Sequence, residues 1–311
     1  MTPNPEPNGI TPSVPGLAIL RQVGNGAGSV VFEARDDRTG ERLAVKSVTR
    51  NIVVGIQEHA PSPEFGGNIA KMVKVYVSQV RNEWRLGHRL TNLAGGHVGI
   101  PRMHRLHIER DFFARTTGIH LVMDFAAGKN LRKGHDYSIA EIVSIYRQAA
   151  DILRFMHQNN VIHADMKPHH IIVADDGKVQ LLDLGLACKR HGHAAQVVGS
   201  PHYMAPEQLV GAGVDERTDV FGLGATMFWA LTGRTIRPTV GGSAAGIMDF
   251  QMETFETSIR DHNSAVPPAL EDIVLRSCAL SRNARLSLSE VISRLDRLAA
   301  PPPAPEAPDS P

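Results

Sequence analysis

A two-lobed α+β fold, β-rich first and mainly helical after, is what this sequence predicts, on three observations. Short apolar runs broken by glycine and aspartate turns fill the first part. A sustained helical stripe begins at Ser138, and proline-rich ends bracket the whole. With 311 residues, 42% of them hydrophobic and 21% charged, the chain has the length of two domains or one large two-lobed one with a sizeable core.

The elements follow in order. "MTPNPEPNGITPSVPG" (residues 1–16) and "APPPAPEAPDSP", within residues 299–311, lack apolar residues to bury and are expected to be disordered and extended. The folded part is placed at 17–298, with a first lobe over 17–124 and a second over 125–298. "LAILRQV", "VVFEARD" and "RLAVKSV" are short strands of a meander, separated by "GNGAG" and "DDRTG" turns. A helix is expected over Ile69–Leu93, then strands at "RLHIE" and "IHLVMDF". Ile139, Ile142, Val143, Tyr146, Ala149, Ala150, Leu153 and Met156 fall on one helical face. Ser138 and Glu141 form the S-x-x-E box that starts that helix, and Ser287 with Glu290 repeats the device for a last helix.

Composition excludes several function classes. A net charge of +1 offers no bulk field for nucleic acid or anionic lipid. No run reaches the roughly 18 apolar residues of a spanning helix, and the first residues lack a basic-then-apolar signal pattern. Two cysteines, Cys188 and Cys278, build no disulfide framework. A soluble, cytoplasmic chain without nucleic-acid or membrane partner is expected; nothing in the sequence speaks to oligomeric state.

Four short stretches carry chemistry. In "GNGAGSVV", glycines let backbone N–H groups approach a phosphate, although an ordinary hairpin turn fits the residues equally well. Lys46, in the apolar strand "LAVK", is costly to bury unpaired, and Glu83 on the following helix is its best partner. "VIHADMKPHHIIV" holds a polar loop between buried runs; Asp165 could accept a hydroxyl proton and Lys167 could steady a transferred phosphate. In "GKVQLLDLG", Asp183 ends a strand as a hard oxygen ligand suited to Mg²⁺, whereas any single aspartate more often caps a loop.

The order "GNGAGSVV", "LAVK", Glu83, "HADMKPHH", "DLG", "GSPHYMAPE" and "DVFGLG" resembles the eukaryotic-type (Hanks-type) serine/threonine protein kinases, bacterial members especially, across nearly all of 17–298. The resemblance implies ATP with Mg²⁺ or Mn²⁺ as cofactors and a protein substrate. It implies that Gly24, Asn25, Gly26 and Val31 cover the nucleotide, and that Lys46 holds its phosphates and pairs with Glu83. Ala44, Met123 and Ile172 would border adenine, with the backbone of Asp124 and Phe125 or Ala126 bonding to it. Asp165 would be the catalytic base, Lys167 the γ-phosphate contact and Asp183 the metal ligand. Glu207 would pair with Arg285, and Asp219 would brace the catalytic loop. Lys167 and Ser200 resemble the serine/threonine-specific subgroup.

Three departures from that pattern stand out. His170 occupies the slot of a metal-binding asparagine; imidazole suits Mn, Zn or Fe better than Mg. Because Lys46, Glu83, Asp165, Lys167 and Asp183 are all kept, an active enzyme with altered metal preference is expected. Ala164 replaces an arginine that receives an activation-loop phosphate, and between Asp183 and Glu207 only Ser200 and Tyr203 carry hydroxyls. Donor and receptor are missing together, so independence from activation-loop phosphorylation is expected. Lastly, "GIQEHAPSPEFGGN" reads as an inserted flexible loop in an overlong connection. Exposed "CKRHGH" (Cys188, His191, His193) could bind a metal but reads better as a solvated loop. The alternative reading is a pseudokinase or scaffold signalling by conformation; a small-molecule phosphotransferase fits least.

Overall fold

Alternation of apolar and polar side chains along the first part builds one antiparallel sheet. The computed structural model describes residues 11–59, 65–93, 99–131, 137–192, 201–236, 238–242, 248–252 and 258–299. Strands β1 (Leu17–Asn25), β2 (Val30–Asp36) and β3 (Arg42–Thr49) lead into helices α1 (Arg50–His59) and α2 (Ile69–Leu93), then β4 (Met103–Arg110) and β5 (Thr116–Asp124). The sheet order is β1-β2-β3-β5-β4. Val31 pairs with Lys46, which pairs with Leu121, and Ala44 pairs with Met123. Side chains alternate faces with period two, so Val31, Ala44, Lys46, Leu121 and Met123 share one face of the sheet.

Helix α2 lies against that face. Met72, Tyr76, Val80, Glu83, Leu86 and Leu90 recur at helical spacing and are buried. Met72, Tyr76 and Val80 join Ala44, Ile119, Leu121 and Met123 in one apolar cluster.

Two expectations are corrected here. The stretch from Gly55 is not loop throughout, because α1 carries the chain to His59; residues 60–64 lie outside the described set. Ile52 and Val53 are buried, and the Thr49 hydroxyl accepts from Ile52 N–H at 3.2 Å to start the helix. The first tail is also shorter than 1–16. Val14 is 3% exposed in a cluster with Leu17, Leu43 and Val122. One apolar side chain of the right size is enough to hold the segment down.

The second part is mainly helical: β6 (Lys129–Asn130), α3 (Ile139–Gln158), β7 (Ile171–Val173), β8 (Val179–Leu181), α4 (Pro206–Leu209) and α5 (Glu216–Thr232). β9 (Pro238–Gly242), β10 (Met248–Met252), α6 (Ile259–His262), α7 (Pro268–Ser277) and α8 (Leu288–Ala299) follow. Both sequence-predicted capping boxes form. Ser138 Oγ accepts from Glu141 N–H at 3.3 Å and Ser287 Oγ from Glu290 N–H at 3.3 Å, while each glutamate carboxylate accepts from the serine N–H. Helix α5 is buried nearly all round, from Thr218 to Trp229. It forms the centre of a core with Tyr146, Leu153 and Met156 of α3, Val274 of α7 and Leu295 of α8. Its start is capped by Asp215 and it ends at Gly233, whose φ of 70° is left-handed. The two-lobed α+β class is therefore observed.

Candidate active site

The site lies between the sheet and the helical part, and each side chain reaches it from a different element. Lys46 projects from β3 into the apolar cluster, where Glu83 of α2 accepts from its Nζ at 2.7 Å. Asp183, just after β8, takes the same ammonium at 2.9 Å. Burial works against the Lys46 charge, but Asp183 and Glu83 outweigh it and raise its pKa above the usual lysine value. Burial pushes Glu83 upward, opposed by Lys46. Burial pushes the Asp183 pKa up, but Lys46, His170 and Lys167 together outweigh it and hold the carboxyl well below the usual range.

The loop between α3 and β7 supplies the rest. Asp219 of α5 accepts from His163 N–H and Ala164 N–H, each at 2.8 Å, and His157 Nε2 lies 2.7 Å from the same carboxylate. That grip bends Ala164 to a left-handed φ of 61° and turns Asp165 toward the cleft. Lys167 Nζ donates to Asp165 Oδ2 at 2.9 Å. Burial raises the Asp165 pKa while Lys167 pulls it down.

His170 joins the two aspartates. Its Nδ1 lies 2.9 Å from the Asp165 carbonyl oxygen, which can only accept, so Nδ1 carries the proton. Burial, with Lys167 next, lowers the pKa of the ring well below the usual histidine value. Nε2 then turns a lone pair toward Asp183 Oδ2 at 3.6 Å. Two acceptors facing one another at that separation suit a cation between them, with one oxygen and one nitrogen donor. One carboxylate oxygen and one imidazole nitrogen are both ligand types that divalent metals accept.

Val31 of β2 pairs with Lys46 across the sheet, and Ala44 lies two residues before it on the same strand. Ala44 and Met123 are buried in the cluster against which Val31 and Phe125 pack, and Ile172 of β7 is buried on the other side of the cleft. The Arg42 guanidinium covers the Phe125 ring at 3.7 Å. Asp124 N–H donates to Arg102 O at 2.9 Å. Gly24 and Asn25 end β1, and Gly26 N–H donates to Ser29 O at 2.7 Å, closing the glycine turn. Gly28 rests on Tyr76 of α2: a Cβ there would stand 2.0 Å from the ring. The glycine turn and α2 therefore touch directly. Gly28→Ala is expected to push the turn off Tyr76 and raise KM for ATP by about tenfold, roughly 1.4 kcal/mol of lost binding, with the melting temperature nearly unchanged; steady-state kinetics and a thermal melt check it.

Two structural expectations hold as geometry: the Glu207 carboxylate accepts from Arg285 at 2.7 and 2.8 Å, and Asp219 braces the loop. Ser200 and His193 lie outside the described residues. The contacts of Asn82, His157 and Tyr76 were missed, since each joins groups far apart in sequence. A weak signal existed only for Tyr76, on the inner face of a predicted helix.

Sheet-backed lysine, helix glutamate, braced aspartate loop and strand-end aspartate together line one cleft between two lobes. Comparison with known proteins agrees. The protein kinase domain matches residues 17–295. The chain is 27% identical over 272 residues to serine/threonine-protein kinase PrkC of Bacillus subtilis (strain 168), covering 84% of this chain and 37% of that protein. It is 34% identical over 270 residues to serine/threonine-protein kinase Pkn1 of Myxococcus xanthus (80% and 37%), and 32% identical over 266 residues to a probable serine/threonine-protein kinase of Clostridium acetobutylicum (83% and 36%). The chain belongs to the protein kinase family. It spans little more than a third of the length of these relatives.

Proposed function

We propose that the chain is an ATP-dependent serine/threonine protein kinase that works without activation-loop phosphorylation. One observation carries the reading: the Lys46–Glu83 pair is formed, and Asp165 and Asp183 face one cleft beside His170. Lys46 would hold the α- and β-phosphates. Asp183 and His170 would hold the divalent ion, whose charge offsets that of the phosphates. The Asp165 carboxylate orients a substrate hydroxyl and takes its proton as the hydroxyl oxygen bonds to the γ-phosphorus and the bond from that phosphorus to the β-bridging oxygen breaks, releasing ADP. Lys167 meets the transferring group. Free Cys188 and Cys278 support a reducing, cytoplasmic setting.

The test is transfer to a serine- or threonine-bearing protein under Mg²⁺ and under Mn²⁺, for the wild type, Asp165→Asn and His170→Asn. Turnover of the wild type is expected to be higher with Mn²⁺. His170→Asn should raise the Mg²⁺-to-Mn²⁺ turnover ratio by about tenfold, by analogy with the loss typical of altered ligand shells. An unchanged ratio would show that His170 does not reach the ion. Treatment of the purified chain with phosphatase is expected to leave turnover intact; loss of activity, with a phosphosite between Asp183 and Pro206, would refute the independence. A scaffold that signals by conformation is favoured instead if neither metal supports Asp165-dependent transfer. Lys46 already engages two carboxylates, which is the one feature that such a scaffold would also explain.

A further inference from the structure

We infer that Asn82, set in place by Arg85, is a positioning residue that latches α2 onto the turn after Asp183 and so keeps Glu83 against Lys46. This rests on the kinase reading above and names how that site is kept ready.

The contacts are direct. Asn82 Nδ2 lies 2.7 Å from Ala187 O, 3.2 Å from Gly185 O and 3.3 Å from Leu184 O. Carbonyl oxygens only accept, so the amide must present its NH₂ group to them. On its other side Arg85 donates to Asn82 Oδ1 at 3.0 Å, which fits that orientation and opposes the flipped one. Gly185 brings the turn close to the helix: a Cβ there would stand 3.3 Å from Gln79 Cβ and 3.0 Å from Asp183 Oδ1.

Beyond the turn the chain is fastened to the catalytic loop. Cys188 N–H donates to Ile162 O at 2.9 Å, and Ile162 N–H donates to Cys188 O at 2.8 Å. A run of direct bonds thus leads from α2 through 184–188 to the residue before His163.

The experiment compares Asn82→Asp, Asn82→Ala and Arg85→Gln with the wild-type chain, by amide hydrogen exchange over 184–188 and by kinetics with ATP. Asn82→Asp keeps the shape but turns a carboxylate toward three carbonyls. It should speed exchange over 184–188 by tenfold or more and lower kcat/KM for ATP by a similar factor. Asn82→Ala should fall between it and the wild type, and Arg85→Gln should show a smaller change of the same kind. A role in packing alone would leave the isosteric Asn82→Asp near wild type. Exchange and kcat/KM within twofold of wild type in Asn82→Asp overturn the latch. If that variant does not fold, unchanged exchange in both Asn82→Ala and Arg85→Gln overturns it equally. Should the wild type transfer no phosphate, the kinase reading fails, while the exchange comparison still decides the latch.

Discussion

Asp165→Asn is expected to abolish measurable transfer while leaving nucleotide binding within about twofold of wild type. The amide keeps the size of the carboxylate and leaves the main chain untouched, so the Asp165 carbonyl still accepts from His170 and Asp219 still grips the loop. What disappears is a proton acceptor and one negative charge beside Lys167. Loss of a positioned general base typically costs about 10²–10⁴ in rate. Single-turnover transfer with saturating ATP reads the chemistry, and titration with a fluorescent nucleotide reads binding. Transfer within tenfold of wild type would mean that the hydroxyl proton goes elsewhere. Loss of binding together with transfer would mean that the substitution had disturbed the cleft.

The second large effect concerns stability rather than chemistry. Arg285 is 2% exposed, and its guanidinium meets Glu207 through two nitrogens while also donating to Ala279 O at 2.7 Å and Leu280 O at 3.2 Å. Removing one partner of such a pair strands the other charge, so Arg285→Ala should lower stability by about 3–5 kcal/mol. Denaturant unfolding measures it. The sign of the pH dependence follows from Glu207. Burial raises its pKa, but Arg285 more than compensates, and the folded value is lowered. A lowered carboxylate contributes stability above its unfolded value and loses it as pH falls through the folded one. The gap between wild type and Arg285→Ala should therefore be full near neutrality and shrink below about pH 4, the usual carboxylate range. A gap that stays constant into acid would assign the cost to packing over the Phe221 ring, 5.0 Å from the guanidinium carbon, instead of to the ion pair.

What could be read from the sequence has a physical pattern. Capping boxes, the Ile69–Leu93 helix and the strand runs rest on local spacing, and all formed. Lys46 with Glu83, and Glu207 with Arg285, were legible although distant, because a buried charge needs a partner and few candidates existed. Helix α1 was not read, since its apolar stripe of Ile52, Val53 and Ile56 is short and runs into a proline- and glycine-rich stretch. Val14 was hidden by its proline neighbours. The Asn82 contacts span 102 to 105 residues and depend on the exact approach of two segments, which no local pattern encodes.

Helix α5 has one more consequence. Its residues from Thr218 to Trp229 are enclosed on every side, so water never solvates that stretch in the native state. Shortening the chain after Gly233 would strip away α7 and α8 and lay a greasy rod bare. Any fragment used to study the cleft alone has to retain the final helices, because they serve as the wall behind it.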